Sequence, residues 1–218
     1  MFVVLFGPPG AGKGTQAGAV CASMGIPHVA TGDIFRRHLK EGTPLGLLAK
    51  SYMAGGGLVP DGVVVDIVGS RLEEADAQQG ALLDGFPRTV VQAELLSSWL
   101  AARGKSIGVV LSLVVDDAVV VGRLSGRRTC LDCGASYHVQ ANPPKVDHVC
   151  DRCGGAVVQR PDDAEATVRA RIETYQRETA PVLGWLRERV RTFDIQADAP
   201  IDQVEAQLNA ALAAARGA

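Results

Sequence analysis

The sequence has no excess of charge of either sign. Its 22 Lys and Arg residues nearly balance its 24 Asp and Glu residues, which leaves a formal net charge of -2. A chain that binds a nucleic-acid backbone or an anionic membrane surface usually shows a basic surplus. We therefore expect no nucleic acid and no membrane among the partners, and any phosphate site must depend on where single basic residues are placed.

Long apolar runs are also missing. The first apolar run, residues 1–6, is too short for the apolar part of a signal peptide, has no basic flank and ends at Gly7. No other stretch approaches the roughly 18 apolar residues that a membrane span needs. These absences predict a cytoplasmic protein. In that reducing compartment the five cysteines are not expected to form structural disulfides, which points to a metal or redox role.

Apolar, β-rich runs alternate with helical patterns along the chain. The predicted strands are residues 1–6, 27–30, 81–84, 107–115 and 192–195, and the predicted helices include 13–24, 33–40, 89–103, 118–124 and 201–215. The strands show no polar alternation, which favours burial on both faces, as in a parallel sheet between crossover helices. The sequence therefore predicts an α/β fold, and 218 residues suffice for one main core with small insertions.

Two stretches interrupt this alternation. Residues 32–59 predict short helices between glycine breaks, with Gly55, Gly56 and Gly57 as a flexible exit. Residues 126–161 are polar and carry four cysteines. Asp162 follows as the expected N-cap of a long helix that reaches about Glu188.

A glycine-rich segment, GPPGAGKGT at residues 7–15, directly follows the first predicted strand and precedes a helix. This is the context of a phosphate-binding P-loop, in which backbone N–H groups turn toward phosphate oxygens and the lysine reaches the outer phosphates. Gly14 moves the hydroxyl residue one position beyond the common P-loop pattern. The predicted ATP-binding residues of this loop are Gly10, Ala11, Gly12, Lys13, Gly14 and Thr15. The alternative is a glycine-rich turn with a solvated lysine.

Four of the five cysteines form two Cys-x-x-Cys pairs, Cys130 with Cys133 and Cys150 with Cys153, and 16 residues separate the two pairs. This spacing predicts Zn²⁺ held by four thiolates, and a filled tetrahedron makes the ion structural rather than catalytic. Two disulfides are the alternative. Cys21 lies outside the quartet and is expected to be a buried, inert thiol.

A zinc knuckle can also bind nucleic acid. The segment from Arg127 to Arg160 carries five basic and three acidic residues, a balance of only plus two. That surplus is weak for a surface that binds a phosphate backbone. A nucleic-acid-binding module is therefore retained here only as a less favoured alternative from a different functional class.

Several separated motifs resemble those of the adenylate kinase family, from the P-loop to about Leu186. They are TGDIFR at 31–36, GLVPD at 57–61, DGFPRT at 84–89 with Gln92, Arg123 with GRR at 126–128, and RPDD at 160–163 with Arg169 and Arg171. The resemblance implies a five-stranded parallel sheet flanked by helices, a helical AMP-binding insert at 30–59 and a lid at 126–161. The core would comprise 1–29, 60–125 and 162–218.

The same resemblance implies reversible transfer of the terminal phosphoryl group of MgATP to AMP, giving two ADP, by a monomer. It places AMP against Thr31, Arg36, Gly57, Val59, Gly85, Arg88, Gln92, Arg160 and Arg171. It adds Arg123 and Arg127 to the ATP site, and it makes Lys13, Asp84, Arg88, Arg123, Arg160 and Arg171 the catalytic residues. Two phosphorylated substrates bring several negative charges together. Arginine suits such a site because its guanidinium group can bind a phosphate with two hydrogen bonds.

Three points stay open from the sequence. Asp84 can organise Mg²⁺ through water at the end of an apolar strand, or it can simply cap the next turn. The amide of Gln92 can pair with different bases, so a UMP/CMP or GMP kinase is an alternative. Residues 197–200 include Asp198 and Ala199 where the family commonly has a glycine-containing loop beside the donor base, so we assign no base contact there.

Overall fold

Short, mainly apolar segments form the strands of the main sheet, and longer segments form the helices. The computed structural model describes residues 1–217. Its strands are β1 (Phe2–Phe6), β2 (His28–Ala30), β3 (Ala81–Asp84), β4 (Ile107–Val114), β5 (Arg127–Cys130), β6 (Ser136–His138), β7 (Val157–Val158) and β8 (Thr192–Gln196). Its helices are α1 (Lys13–Met24), α2 (Thr31–Lys40), α3 (Pro44–Ala54), α4 (Asp61–Leu72), α5 (Val90–Ala101), α6 (Asp117–Ser125), α7 (Glu165–Thr174), α8 (Ala180–Arg187) and α9 (Ile201–Arg216).

Five strands form one parallel sheet in the order β2-β3-β1-β4-β8. Parallel neighbours need crossover connections, and helices supply them on both faces. The side chains of β1 alternate between two hydrophobic clusters, as the period of a strand requires. Phe2, Val4 and Phe6 pack with residues of α4, α5 and α8, whereas Val3 and Leu5 pack with residues of α1 and α9. The predicted α/β fold with a five-stranded parallel sheet is confirmed.

The register of the sheet brings three loops to one edge. Leu5 of β1 lies beside Asp84 of β3, and Ala30 of β2 lies beside the same Asp84. The segments that follow these strands therefore leave the sheet next to one another. In open parallel sheets, ligands bind at this carboxyl edge, near the point where the strand order reverses.

The segment predicted as short helices folds as α2 and α3, which pack tightly at Gly46. A Cβ at Gly46 would lie 2.3 Å from backbone atoms of His38, so only glycine allows this approach. Thr43 caps α3 by accepting a hydrogen bond from the backbone N–H of Gly46 at 3.1 Å. Gly56, expected to be a flexible exit, has a positive φ of 75° and lies against Arg171 of α7.

Residues 126–161 contain a small antiparallel sheet in the order β6-β5-β7. The sequence pattern predicts neither these strands nor the helix α4. The lid strands have 2 to 4 residues, too few to show an alternating pattern. Helix α4 begins DGVVVDIV, and β-branched residues are poor helix formers whose helix depends on packing.

The prediction that Asp162 caps a long helix is wrong. Pro161–Asp163 form a 3₁₀ turn, and α7 starts after Ala164 without a side-chain cap. The Asp162 carboxylate binds an arginine instead. The helix does extend to Arg187, but Tyr175–Thr179 form a π turn just before Pro181, which lacks the N–H that a regular helix would use.

Within residues 1–217, no helix is long and apolar enough to span a membrane.

Candidate active site

The loop between β1 and α1 has a backbone that requires glycine. Gly10 has a φ of 78°, and a Cβ there would lie 2.8 Å from the Leu124 side chain, while Gly12 has a φ of 94° at the N-cap of α1. Lys13 folds back and donates hydrogen bonds to the carbonyl oxygens of Gly7 and Pro8, both at 2.8 Å. The loop thus surrounds the positive end of α1, which is a suitable place for phosphate.

Lys13 and Asp84 form the electrostatic centre of this edge of the sheet. Burial lowers the pKa of Lys13 to about 8, although the charge of Asp84 opposes the shift. Burial alone would raise the pKa of Asp84. The hydrogen bond with His28 at 3.3 Å and the charges of Lys13, His28 and Arg88 outweigh it, so the pKa of Asp84 falls below its ordinary value. Asp84 therefore stays a carboxylate next to a buried ammonium group.

Arginines from separate elements surround this centre. Burial first, and then the charges of Arg171 and Arg36, lower the pKa of Arg88 to about 10. Burial, followed by the charges of Arg36 and Arg127, lowers the pKa of Arg160 to about 10. These groups remain cationic at neutral pH, and their mutual repulsion is relieved when anions bind between them.

A cavity of about 830 Å³ lies among these groups. It brings together most of the predicted site residues: Gly10, Ala11, Gly12, Lys13, Gly14, Thr15, Arg36, Asp84, Gly85, Arg88, Arg123, Arg127, Arg160 and Arg171. Four predicted AMP contacts do not line it, namely Thr31, Gly57, Val59 and Gln92, although Gly32, Gly56 and Leu58, which adjoin the first three in the chain, do. The arrangement can hold two phosphorylated ligands facing one another.

Further residues line the cavity without any motif in the sequence that predicts them. The lid contributes Tyr137, His138 and Asn142, and the π turn contributes Tyr175 and Thr179. Burial raises the pKa of Tyr175 to about 12, and its ring lies 6.1 Å from that of Phe6. The only sequence signal for this turn is the proline that follows it. Ala197 and Ala199, where we assigned no contact, line the cavity as well.

Thr31 and Gln92 are both engaged with the protein itself. The Thr31 hydroxyl donates to the carbonyl oxygen of Gly85 at 2.9 Å, and Arg88 Nε donates to the same oxygen at 2.7 Å. The Gln92 side chain, in a residue only 1% exposed, accepts from the backbone N–H of Arg88 and donates to Asp61. These bonds fix the loop after β3 and orient the guanidinium group of Arg88.

Ion pairs join the lid to α7. Arg127 Nε of β5 donates to Asp163 Oδ2 at 2.8 Å, and the Asp163 side chain is fully buried. Arg171 Nη1 donates to Asp162 Oδ2 at 3.0 Å and to Asp163 Oδ1 at 3.3 Å. Asp162 and Asp163 thus hold two of the predicted site arginines in place, one from the lid and one from the helix after it.

The four lid cysteines have free thiols that lie within 4.8 Å of one another. Sγ of Cys130 is 3.5 Å from that of Cys153, and Sγ of Cys133 is 3.6 Å from that of Cys150. Disulfide sulfurs would be about 2.05 Å apart. A tetrahedron with Zn–S bonds of about 2.3 Å has edges of about 3.8 Å, so these sulfurs fit such an ion.

The thiols also interact with groups outside the quartet. The Tyr137 hydroxyl, 3.3 Å from Cys150 Sγ, is the main cause that lowers the pKa of Cys150 to about 6. The backbone N–H of Gly155 lowers the pKa of Cys153, but the hydrogen bonds shared with Cys133 and Cys130 raise it to about 12. Cys21, expected to be buried, is half-buried against the hydrophobic cluster that contains Val3 and Leu5, and desolvation raises the pKa of its thiol.

Comparison with known proteins gives a consistent result. The family model described as adenylate kinase matches residues 5–191. An adenylate kinase of Acidothermus cellulolyticus is 52% identical over 212 residues, which cover 97% of this chain and 98% of the relative. Adenylate kinases of Methanosarcina acetivorans and Symbiobacterium thermophilum are 50% and 47% identical, over 98% and 99% of this chain and 99% and 100% of theirs.

Removal of the buried negative charge at Asp163 should destabilise the protein. We expect Asp163→Asn to lower the free energy of unfolding by about 3 kcal/mol, because the guanidinium groups of Arg127 and Arg171 lose a carboxylate that is shielded from water. Asp162→Asn removes the same charge one residue away, where the side chain is 16% exposed, and it should cost less than about 1 kcal/mol. Urea unfolding of both variants tests this, and equal effects would contradict it.

Proposed function

The chain belongs to the adenylate kinase family, and from that premise we propose which residues carry out its transfer of a phosphoryl group between MgATP and AMP. The observation that carries the proposal is a cavity lined both by Lys13 and by arginines from the lid, the insert and the core. Two nucleotides bound head to head would place their phosphates among these cations. Phosphoryl transfer through a loose transition state needs alignment and neutralisation of charge, not a nucleophile on the protein.

The ATP phosphates would occupy the P-loop. Backbone N–H groups of Gly10 to Thr15 would hold them at the positive end of α1. Lys13 would exchange the carbonyl oxygens of Gly7 and Pro8, which it binds at 2.8 Å, for phosphate oxygens. Arg123 and Arg127 would cover the donor phosphates from the side of the lid.

The AMP phosphate would lie between Arg36 and Arg88. The bond from Arg88 Nε to the Gly85 carbonyl oxygen leaves the outer nitrogens of its guanidinium group free for a phosphate. The nucleoside would then lie toward Thr31, Gly57, Val59 and Gln92. The base of AMP would contact Gln92, whose side chain is buried and would have to become accessible when AMP binds.

Arg160 and Arg171 would act between the two substrates. Both lie deep enough for burial to lower the pKa of their guanidinium groups, and both line the cavity. They would stabilise the negative charge on the transferring group. Asp84 would organise the Mg²⁺ that adenylate kinases use with ATP, since it is held as a carboxylate beside Lys13.

We propose that residues 30–59 and 126–161 move relative to a core formed by 1–29, 60–125 and 162–218. Closure of both segments would exclude water, which is necessary because hydrolysis of ATP competes with transfer. The two segments approach each other at Lys40, whose Nζ donates to the carbonyl oxygen of Leu131 at 3.4 Å. This contact links α2 to the lid.

We further propose that Cys130, Cys133, Cys150 and Cys153 hold Zn²⁺. When bound, the ion would crosslink the two knuckles of the lid and supply stability that the short lid strands cannot. Its four thiolate ligands leave no position for substrate. A UMP/CMP or GMP acceptor and a nucleic-acid-binding function are not favoured, because the relatives are adenylate kinases. A cytoplasmic location and a monomeric state stay predictions from the sequence and the family resemblance.

The two ends of the cavity can be told apart by a matched pair of arginine variants. Arg88→Ala should raise KM for AMP at least about tenfold and lower kcat, while KM for ATP changes less than about threefold. Arg123→Ala should instead raise KM for ATP and change KM for AMP little, because its guanidinium group would lie on the donor side. Steady-state kinetics with each substrate varied in turn measure both effects. If Arg88→Ala raised only KM for ATP, the two sites would be assigned the wrong way round.

The rate should fall in alkaline solution because Lys13 must be protonated to bind phosphate. Its pKa of about 8 in the free protein predicts that kcat/KM for MgATP declines as pH rises through 8. Saturating ATP should extend the active range, since bound phosphates raise the pKa of the lysine and keep its proton on. A kcat/KM that stays flat from pH 7 to about pH 9.5 would contradict this role of Lys13.

Loss of one thiolate should loosen the lid without stopping the chemistry. Cys153→Ser should lower the melting temperature and release zinc more readily to a chelator, while turnover at low temperature stays within about tenfold. Cys21→Ser, outside the quartet, is the control and should keep about one zinc per chain. The account fails if metal analysis finds no zinc, or if folded, metal-depleted protein has no activity with Mg²⁺ present.

A further inference from the structure

The Gln92 side chain is held from two directions by groups of opposite hydrogen-bonding character. Its Oε1 accepts from the backbone N–H of Arg88 at 2.7 Å, and its Nε2 donates to Asp61 Oδ1 at 2.8 Å. A backbone N–H can only donate, and a carboxylate can only accept. The two partners therefore determine which end of the amide is oxygen and which is nitrogen.

Asp61 is itself fixed in position. The Thr89 hydroxyl donates to the same Oδ1 at 3.1 Å and accepts from the backbone N–H of Gln92 at 3.1 Å as the N-cap of α5. Asp61 is the first residue of α4, where the positive end of the helix favours a carboxylate. One carboxylate oxygen thus joins the starts of α4 and α5 through the Gln92 amide.

We propose that Asp61 is a positioning residue that fixes the direction of the Gln92 amide and so selects the acceptor base. The inference deepens the proposed function and rests on its placement of the AMP base at Gln92. A primary amide has two donor hydrogens and two acceptor positions. Arg88 and Asp61 use one of each, which leaves one donor on Nε2 and one acceptor position on Oε1 for a ligand.

The direction of the amide matters because purines differ in polarity along their pairing edge. Adenine presents a ring nitrogen that accepts and an amino group that donates, whereas guanine and hypoxanthine present a ring N–H that donates and a carbonyl oxygen that accepts. An amide locked in one direction matches one arrangement and opposes the other. An amide free to rotate by 180° would accept both, so the lock creates discrimination by rejecting the wrong base.

The test compares AMP with inosine monophosphate (IMP), which has the same purine frame with the opposite polarity on that edge. Asp61→Ala should reduce the ratio of kcat/KM for AMP to that for IMP by about tenfold, mainly through KM for AMP, and leave KM for ATP unchanged. Asp61→Asn should recover most of the ratio, because its amide oxygen can accept from Gln92 and Thr89. Asp66→Ala, an exposed position on the same helix, is the matched control.

A merely structural role for Asp61 predicts a different result. Asp61→Ala would then lower the melting temperature and reduce the rates with AMP and IMP equally, and such an unchanged ratio would overturn the inference. If Asp61→Ala does not fold, Asp61→Ser, whose hydroxyl is too short to bridge to Gln92, carries the same test.

Gln92→Ala, measured alongside, separates this inference from the proposed function. If Gln92→Ala leaves the AMP to IMP ratio unchanged, the base does not lie at Gln92, and both the proposed base site and the inference fail. If Gln92→Ala lowers the ratio but Asp61→Ala does not, the base site stands and only the positioning role of Asp61 is overturned. A reduced ratio in both variants, with recovery in Asp61→Asn, supports the inference.

Discussion

The site depends on holding several positive side chains close together before any substrate arrives. Lys13, Arg88, Arg160 and Arg171 lie where burial and mutual repulsion lower the pKa values of their side chains. Such a cluster is costly unless negative groups compensate it. Within residues 1–217, three carboxylates offset this positive charge. Asp84, at the edge of the sheet, does so for Lys13 and Arg88. Asp162 and Asp163, in the turn before α7, do so for Arg160 and Arg171.

The cations come from different segments of the chain, and this separation bears on when their repulsion is felt. Lys13 and Arg88 follow strands of the central sheet, whereas Arg36 belongs to the insert and Arg127 and Arg160 border the lid. Repulsion among them would oppose the proposed closure of the two segments as long as phosphates are missing. We expect closure to be favoured only when both substrates supply negative charge, which would couple the exclusion of water to the presence of the correct acceptor.

The lid, residues 126–161, has only a small hydrophobic core of its own. Its buried cluster consists of Cys130, Ala135, Tyr137, Cys150 and Val157. So small a cluster contributes little stability by burial. Two of the five are thiols of the predicted zinc site, so the metal would replace the core that a larger segment could build. The Tyr137 hydroxyl contacts Cys150 Sγ while the residue lines the cavity, which places the cysteine quartet directly behind the cavity wall.

The sequence by itself determined the sheet, the P-loop and the cysteine quartet, because each depends on local pattern: continuous apolar runs, a glycine-rich turn and fixed spacing. Only the tertiary structure decided the rest. Asp162 binds Arg171 rather than capping a helix, the π turn brings Tyr175 to the cavity, and Gln92 is held by Asp61, 31 residues earlier. These contacts join residues far apart in the chain or depend on competition between partners, and no local pattern records which partner a polar side chain will meet.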